Sequence, residues 1–122
     1  MASGKQLGEF SFKSTSLTFT PGPANSLLVQ VSCEETATGF GTTLLTGTYV
    51  VGKSGTHNWC GANYLDNGDI LTFTGQGTHE SSGRHKWRTQ GISPLSDGRT
   101  FNVEGEIDLA ARTWSGKFFE RS

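Results

Sequence analysis

Residues 70–93 read ILTFTGQGTHESSGRHKWRTQGIS and contain the pattern that decides the fold. Apolar or aromatic side chains alternate with polar ones on both sides of a Ser-Ser-Gly segment, which is typical of two half-buried strands joined by a hairpin. The glycines at 75 and 77 interrupt the first strand, and a strand glycine usually marks a bend or a position beside a bulky side chain. The stretch therefore predicts a strongly curved antiparallel sheet around large aromatic residues.

The same alternation extends in both directions from this hairpin. It predicts earlier strands within residues 9–19, 26–36, 42–51 and 56–65, and later strands within 100–109 and 112–120. Turn-forming segments separate them, among them residues 38–41 and the Asn-Gly pair at 67–68. We expect a single domain covering residues 1–122. Because closure removes both exposed sheet edges, we predict an all-β fold, one antiparallel β-barrel of about eight strands, with a two-sheet β-sandwich as the alternative.

Pairing the hairpins of the second half sorts side chains onto two faces. A tip at residues 81–83 places Gly77 opposite Trp87, and symmetric turns further on align Gly105 with Trp87 and Gly116 with Gly105. We therefore expect these three glycines to form a trough for the Trp87 indole. A one-residue slip would exchange the two faces, so the clean separation supports the assignment. The predicted inward face holds Leu71, Phe73, Trp87, Phe101, Val103, Ile107, Trp114 and Phe118.

The facing of residues 56–65 depends on the turn that follows. A two-residue turn at the Asn-Gly pair sends Cys60, Ala62 and Tyr64 inward, and this is the interpretation we favour. A three-residue loop with a bulge sends His57 and Trp59 inward instead.

Two histidines are the candidate chemical groups of the inward face. With the tip at 81–83, His79 and His85 become cross-strand neighbours near one mouth of the barrel. Imidazoles there are suited to contacting a polar ligand group or to acid–base work. We expect no metal site, because a third ligand is lacking: Glu80 lies on the adjacent tip and Asp108 points the other way.

The basic run at residues 84–88 has the appearance of a nucleic-acid patch. The same pairing, however, places Lys86 opposite Glu106 and Arg88 opposite Glu104 on the polar face. Such cross-strand pairs form an ordinary solvated ladder. The net charge of −1 and a pI of about 6.3 also provide no field for nucleic acid or an anionic membrane. We therefore expect neither partner.

Other sequence features bear on the cellular compartment and on the use of cofactors. No apolar run approaches the roughly 18 residues of a membrane span, and the first six residues lack the apolar core of a signal peptide. Cys33 and Cys60 have no CxxC spacing, so we expect free thiols in a cytoplasmic protein, although a single disulfide stays open. No nucleotide-binding or catalytic motif is present, and we expect no cofactor.

Three short segments carry a family resemblance: residues 8–14 (GEFSFKS), 45–49 (LTGTY) and 74–78 (TGQGT). In them an aromatic residue or Thr stands next to Gly, and in architecture the chain resembles a small lipocalin-like barrel of the allene oxide cyclase-like type. The resemblance implies either a carrier of hydrophobic ligands or a cyclase or isomerase. No catalytic motif of either group matches residue by residue, and the Gly-x-Trp of lipocalins is absent from the start of the chain.

We predict that the barrel interior binds a small, partly apolar or aromatic ligand. One alternative is a cyclase or isomerase that protonates its substrate from His79 or His85, and another is a barrel without a ligand that acts through its surface. The sequence leaves open a homo-oligomer. The expected ligand-binding residues are Tyr64, Phe73, His79, His85, Trp87, Trp114 and Phe118.

Overall fold

Eight stretches of alternating sequence form eight strands in the computed structural model, which describes residues 4–37 and 41–121. A short 3-10 helix, Pro23–Asn25, joins the first two strands. The turn predicted at residues 38–41 lies, apart from Gly41, outside the described residues. The strands are β1 (Gln6–Pro21), β2 (Leu27–Ala37), β3 (Gly41–Val50), β4 (Ser54–Leu65), β5 (Ile70–Gly83), β6 (Lys86–Pro94), β7 (Thr100–Asp108) and β8 (Thr113–Glu120).

Every strand pairs antiparallel with its neighbours in the chain, and the sheet closes on itself. The closing contact joins β1 to β8, where Phe12 lies opposite Trp114. The predicted eight-stranded antiparallel barrel is therefore confirmed, and the sandwich alternative is not adopted. Closure gives each described strand a paired neighbour on both sides, which is how a barrel removes the two open edges of a flat sheet. Within the described residues, no helix has the length and apolar character needed to cross a membrane.

Alternate positions along the strands fill the interior. Trp114 packs edge-on against Phe10, with ring centroids 4.9 Å apart, and stacks on Phe12 at 5.7 Å. The two-residue period of a strand brings such rings to one face, and the barrel closes around them. The buried apolar cluster consists of Phe10, Phe12, Cys33, Leu45, Trp59 and Val103.

The β5–β6 hairpin turns later than predicted. β5 continues to Gly83, and the chain reverses at Arg84 and His85, where His85 adopts a left-handed backbone with φ of 55°. As a result His79 lies opposite Thr89 rather than His85, a displacement of four residues. The predicted pairing of the two histidines is therefore wrong. Because the displacement is even, each side chain still faces the predicted side of the sheet.

The β6–β7 pairing is displaced by two residues, whereas the β7–β8 pairing matches the prediction. Trp87 lies opposite Ile107 rather than Gly105. Gly105 does lie opposite Gly116, and Ile107 lies opposite Trp114. A two-residue turn at Ala110 and Ala111, as the sequence predicts, is closed by a bond from Arg112 N to Leu109 O at 3.2 Å and fixes the last hairpin. The longer loop at 95–99 is centred on Asp97 and closes through bonds from Gly98 N to Leu95 O and from Leu95 N to Arg99 O, which shifts the preceding pair by two residues.

The charged ladder on the outer face exists with different partners. Lys86 pairs with Asp108, the Nζ and Oδ2 atoms being 4.0 Å apart. Arg88 lies opposite Glu106 and forms its ion pair with Glu80 at 3.5 Å. The partners predicted for both basic residues are wrong because of the two-residue displacement. The acids of β7 at 104 and 106 nevertheless lie exposed on the outer face, as expected.

The favoured facing of β4 is wrong, and the three-residue alternative is observed. Leu65 N donates to Asp69 O at 2.9 Å, so residues 66–68 form the loop, with Gly68 in the left-handed region at φ 96°. The Asn67 side chain accepts a bond from Asp69 N at 2.9 Å and fixes this geometry. The extra loop residue turns Trp59 inward and leaves Tyr64 outside, 47% exposed.

The strand glycines make room for Trp59 and Trp114 rather than for Trp87. Gly75 lies directly opposite Trp59, and a Cβ atom at Gly75 would lie only 1.9 Å from Cε2 of that indole. A Cβ at Gly105 would lie 3.2 Å from Nε1 of Trp114. Trp87 instead lies near one end of the barrel, where its Nε1 donates to Gly52 O at 3.0 Å. The predicted trough of Gly77, Gly105 and Gly116 around Trp87 is therefore wrong: Gly105 does lie opposite Gly116, but Gly77 lies opposite Gly91.

Candidate functional site

Trp59 and Trp114 divide the barrel interior into two compartments. They project from β4 and β8 and meet edge to face with ring centroids 5.2 Å apart. Together with Leu45 they line both the larger and the smaller cavity. We call these three side chains the partition.

Hydrogen bonds hold the partition in place. Trp59 Nε1 donates to Ser93 Oγ at 3.3 Å, and Ser93 Oγ donates to Thr74 O at 2.7 Å. Trp114 Nε1 donates to Thr89 Oγ1 at 3.1 Å. Since both indole donors have partners, the rings occupy defined positions in the interior.

The larger cavity lies between the partition and the barrel end that carries the loops at 66–69 and 95–99. Its volume is about 510 Å³, which falls in the range of small-molecule sites. Aromatic and aliphatic side chains form most of its walls. Those from β1, β5, β7 and β8 include Phe10, Phe12, Phe73, Phe101, Val103 and Phe118.

A row of polar side chains crosses one wall of this cavity. Glu35 on β2 lies opposite Thr43 on β3, and Thr43 lies opposite Asn63 on β4. Thr43 Oγ1 donates a hydrogen bond to Asn63 Oδ1. All three residues line the cavity. The wall thus offers polar groups at one place in an otherwise largely apolar space, which is how small-molecule sites orient a ligand.

Glu35 is the charged member of this row. It faces inward because β2 continues the alternation of Val31 and Cys33. Its Oε2 accepts a bond from the backbone N–H of Ser11 at 2.9 Å. Burial raises the pKa of the Glu35 carboxyl above its ordinary value, and the bond from Ser11 opposes that shift.

The mouth of the larger cavity carries Arg99, which is already engaged by its own loop. Arg99 Nη2 lies 2.7 Å from Asp97 Oδ2, and its guanidinium carbon lies 5.2 Å from the centre of the Phe101 ring. The bonds from Arg99 hold the pKa of Asp97 below its usual value. Glu9 and Leu7 also line this end of the cavity.

The smaller cavity lies on the other side of the partition and measures about 80 Å³. Its walls include Val31, Cys33, Tyr49 and Ile107. This volume is too small for most metabolites, so the larger compartment is the candidate ligand site.

A histidine pair lies near this second end, and its partner differs from the predicted one. His57 Nδ1 and His79 Nδ1 are 2.9 Å apart. One ring nitrogen must donate and the other accept, so the bond requires at least one neutral imidazole. His79 is only 6% exposed, and its Nε2 has no hydrogen-bond partner among the described residues.

Both imidazoles of this pair resist protonation. Burial, and then the charge of His79, lower the pKa of His57 to about 4, and burial also lowers the pKa of His79. No group of three or more His, Cys, Asp or Glu residues arranged to hold a metal ion occurs in the described part of the chain. The pair is therefore a neutral, hydrogen-bonded unit at neutral pH.

The structure separates the predicted site residues into three groups. Phe73, Trp114 and Phe118 line the larger cavity. His79 and Trp87 lie toward the opposite end, beyond the partition. Tyr64 is on the outer face and His85 is exposed in the β5–β6 turn, so neither reaches the interior. The larger cavity and His79 thus lie on opposite sides of the partition.

Sequence reasoning missed several residues of the larger cavity. Glu35, Thr43 and Asn63 were not considered, and Trp59 appeared only in the less favoured facing of β4. A signal for Glu35 was available, because the alternation Val29, Val31, Cys33 continues to it. Asn63 faces inward because the loop that follows β4 has three residues, whereas a two-residue turn would have turned it outward.

The two cysteines differ in reactivity, which gives a test of the β2 and β4 facings. Cys33 is buried and lines the smaller cavity, whereas Cys60 is exposed, and both are free. Burial raises the pKa of Cys33 to about 11. We expect a charged thiol reagent to label Cys60 alone in the folded protein, as read by mass spectrometry, and both thiols after denaturation. Equal labelling of Cys33 in the native state, or labelling that persists in Cys60→Ser, would contradict these facings.

The architecture is consistent with a lipocalin-like barrel, while the allene oxide cyclase-like resemblance stays a prediction. In comparisons with protein-family models, curated proteins and solved structures, no significant match to this chain was found.

Proposed function

We propose that the barrel binds a small, partly apolar molecule in the larger cavity. The observation that supports this most strongly is a space of about 510 Å³ with mainly aromatic walls and one polar row formed by Glu35, Thr43 and Asn63. A barrel interior used only for packing is filled by side chains. Phe73, Trp114 and Phe118 would contact the apolar part of the ligand.

The proposal does not extend to catalysis. The cyclase or isomerase alternative relied on proton donation from His79 or His85. His85 lies exposed in a turn, and His79 belongs to the hydrogen-bonded pair beyond the partition. A general acid must lie within hydrogen-bond reach of the group that it protonates. A cytoplasmic location remains part of the proposal and rests on the free-thiol interpretation of the two cysteines.

Filling the cavity tests the proposal directly. Leu71 lines the larger cavity opposite Asn63, whereas the adjacent Ile70 is exposed on the outer face. We expect wild type to bind phenylbutanol in a saturable manner by isothermal titration calorimetry. Leu71→Trp should weaken this binding by about tenfold or more, because the indole occupies the ligand space.

Ile70→Trp is the matched control, since it adds the same ring one position along on the other face. It should bind phenylbutanol like wild type. Equal binding by both variants would place the ligand elsewhere. If neither phenylbutanol nor its amine and carboxylate analogues bind to wild type, the interior is not a ligand site, and the alternative of a barrel acting through its surface gains weight.

A further inference from the structure

The charged groups around the larger cavity are unevenly balanced. The inward-facing carboxylate of Glu35 and the carboxylate of Asp97 stand against the guanidinium of Arg99, while the exposed Glu9 lies opposite Lys117 on β8. Asp97 already binds that guanidinium through both Nε, at 2.8 Å, and Nη2, at 2.7 Å. An incoming anion would have to displace Asp97, whereas an incoming cation meets an excess of negative charge.

Glu35 is the carboxylate best placed to meet a bound cation. It lies on the inner face in the polar row, and within residues 4–37 and 41–121 the one hydrogen bond of the carboxylate is the one that Oε2 accepts from the Ser11 N–H. A carboxylate has about four acceptor positions, so capacity remains for an ammonium group. In the partly apolar cavity this charge-assisted bond is screened less than on the surface.

The apolar walls favour the same class of ligand. Phe12, Phe73, Phe101 and Phe118 line the cavity, and an ammonium group is attracted to aromatic rings. The walls also accept a hydrocarbon or aromatic body. From this geometry, and resting on the proposed function, we infer that the larger cavity selects hydrophobic amines, with the ammonium group on Glu35 and the apolar body among the phenylalanines.

The test compares three ligands that share one apolar body: phenylbutylamine, phenylbutanol and phenylbutyrate. Dissociation constants are measured by calorimetry at about pH 8, where the ligand amine is charged. We expect the amine to bind wild type about tenfold to a hundredfold more tightly than the alcohol, and the carboxylate to bind most weakly. This comparison needs no variant and stands even if a substitution fails to fold.

Glu35→Gln then tests the assigned residue. The amide keeps an oxygen for the Ser11 N–H, so the strand contact is conserved. The variant should lose the preference for the amine and keep its affinity for the alcohol. Glu34→Gln makes the same charge change on the exposed outer face of the same strand, and it should retain the preference.

The outcomes separate this inference from the proposed function. If the alcohol binds as tightly as the amine, if the carboxylate binds best, or if Glu35→Gln retains the preference, the amine assignment is wrong while ligand binding stands. If none of the three compounds binds, both proposals fail. A preference lost equally in Glu34→Gln would show that overall charge, and not Glu35, selects the amine, and would also overturn the assignment.

Discussion

Replacing Gly75 with Ala is expected to destabilise the barrel by about 3 kcal/mol or more, the upper part of the range for overpacked cores. The Cβ atom would lie 1.9 Å from Cε2 of Trp59, and this atom belongs to a rigid ring rather than to a flexible side chain. The measurement is the free energy of unfolding from chemical denaturation.

Trp59 has little room in which to move away from the new methyl group. Its Nε1 bonds Ser93, its ring contacts Trp114, and its Cη2 lies so close to Gly91 that a Cβ there would be 2.9 Å away. Close-packed interiors transmit such strain instead of absorbing it. The cost should therefore appear in stability and not be relieved by a rotamer change.

Gly83→Ala is the matched control, because no heavy atom lies within 4 Å of the added Cβ. Its stability should lie within about 0.5 kcal/mol of wild type. Combining Gly75→Ala with Trp59→Phe should cost less than the sum of the two single changes, since the smaller ring relieves the clash. Equal stability of the Gly75 and Gly83 variants would contradict the position of Trp59.

Acidification is expected to remove about 2 kcal/mol of stability between roughly pH 7 and pH 4 through the His57–His79 pair. The pKa of His57 falls from 6.5 to about 4 on folding, and the pKa of His79 is also lowered. The unfolded chain therefore binds more protons in this window, and stability falls as pH falls. The expected loss of stability is smaller than the free-energy equivalent of the whole pKa shift, because His57 is partly exposed to solvent.

Comparing variants separates the contribution of the histidine pair from that of the carboxyl groups. The measured quantity is the slope of the unfolding free energy against pH. It should decrease in His57→Phe/His79→Phe, which removes both titrating rings. His85→Asn serves as the control: His85 is exposed in the β5–β6 turn at φ 55°, a conformation that Asn tolerates. That variant should keep the wild-type slope. An unchanged slope in the double variant would show that the pair does not govern the acid response.

The fold was predictable because alternation and closure are properties of the whole chain. Along the strands, apolar residues recur at every second position, as at Phe73 on β5, Val103 on β7 and Phe118 on β8. An even displacement of a hairpin leaves the facing of these residues unchanged. Pairing partners were less predictable. The β5–β6 turn uses His85, a non-glycine residue in the left-handed region, instead of the nearby Gly83.

The candidate site was harder to predict because it depends on loop geometry and on a polar residue of the inner face. One extra residue in the loop at 66–68 exchanges Tyr64 for Asn63 and brings Trp59 into the interior. The position of the Trp59 and Trp114 rings along the barrel axis decides which end of the interior keeps the larger space. The partition leaves the larger space far from His79, and no local pattern encodes that distance.

A ligand is expected to enter the compartment that contains the polar row and not the end of the barrel that carries the histidine pair. Backbone amide chemical shifts recorded during titration with phenylbutylamine test this expectation most directly. We expect saturable changes at Glu35, Thr43, Asn63 and Phe118, with little change at His57 and Ile107 beyond the partition. Changes centred on His57 and Ile107, or on the outer face, would contradict it.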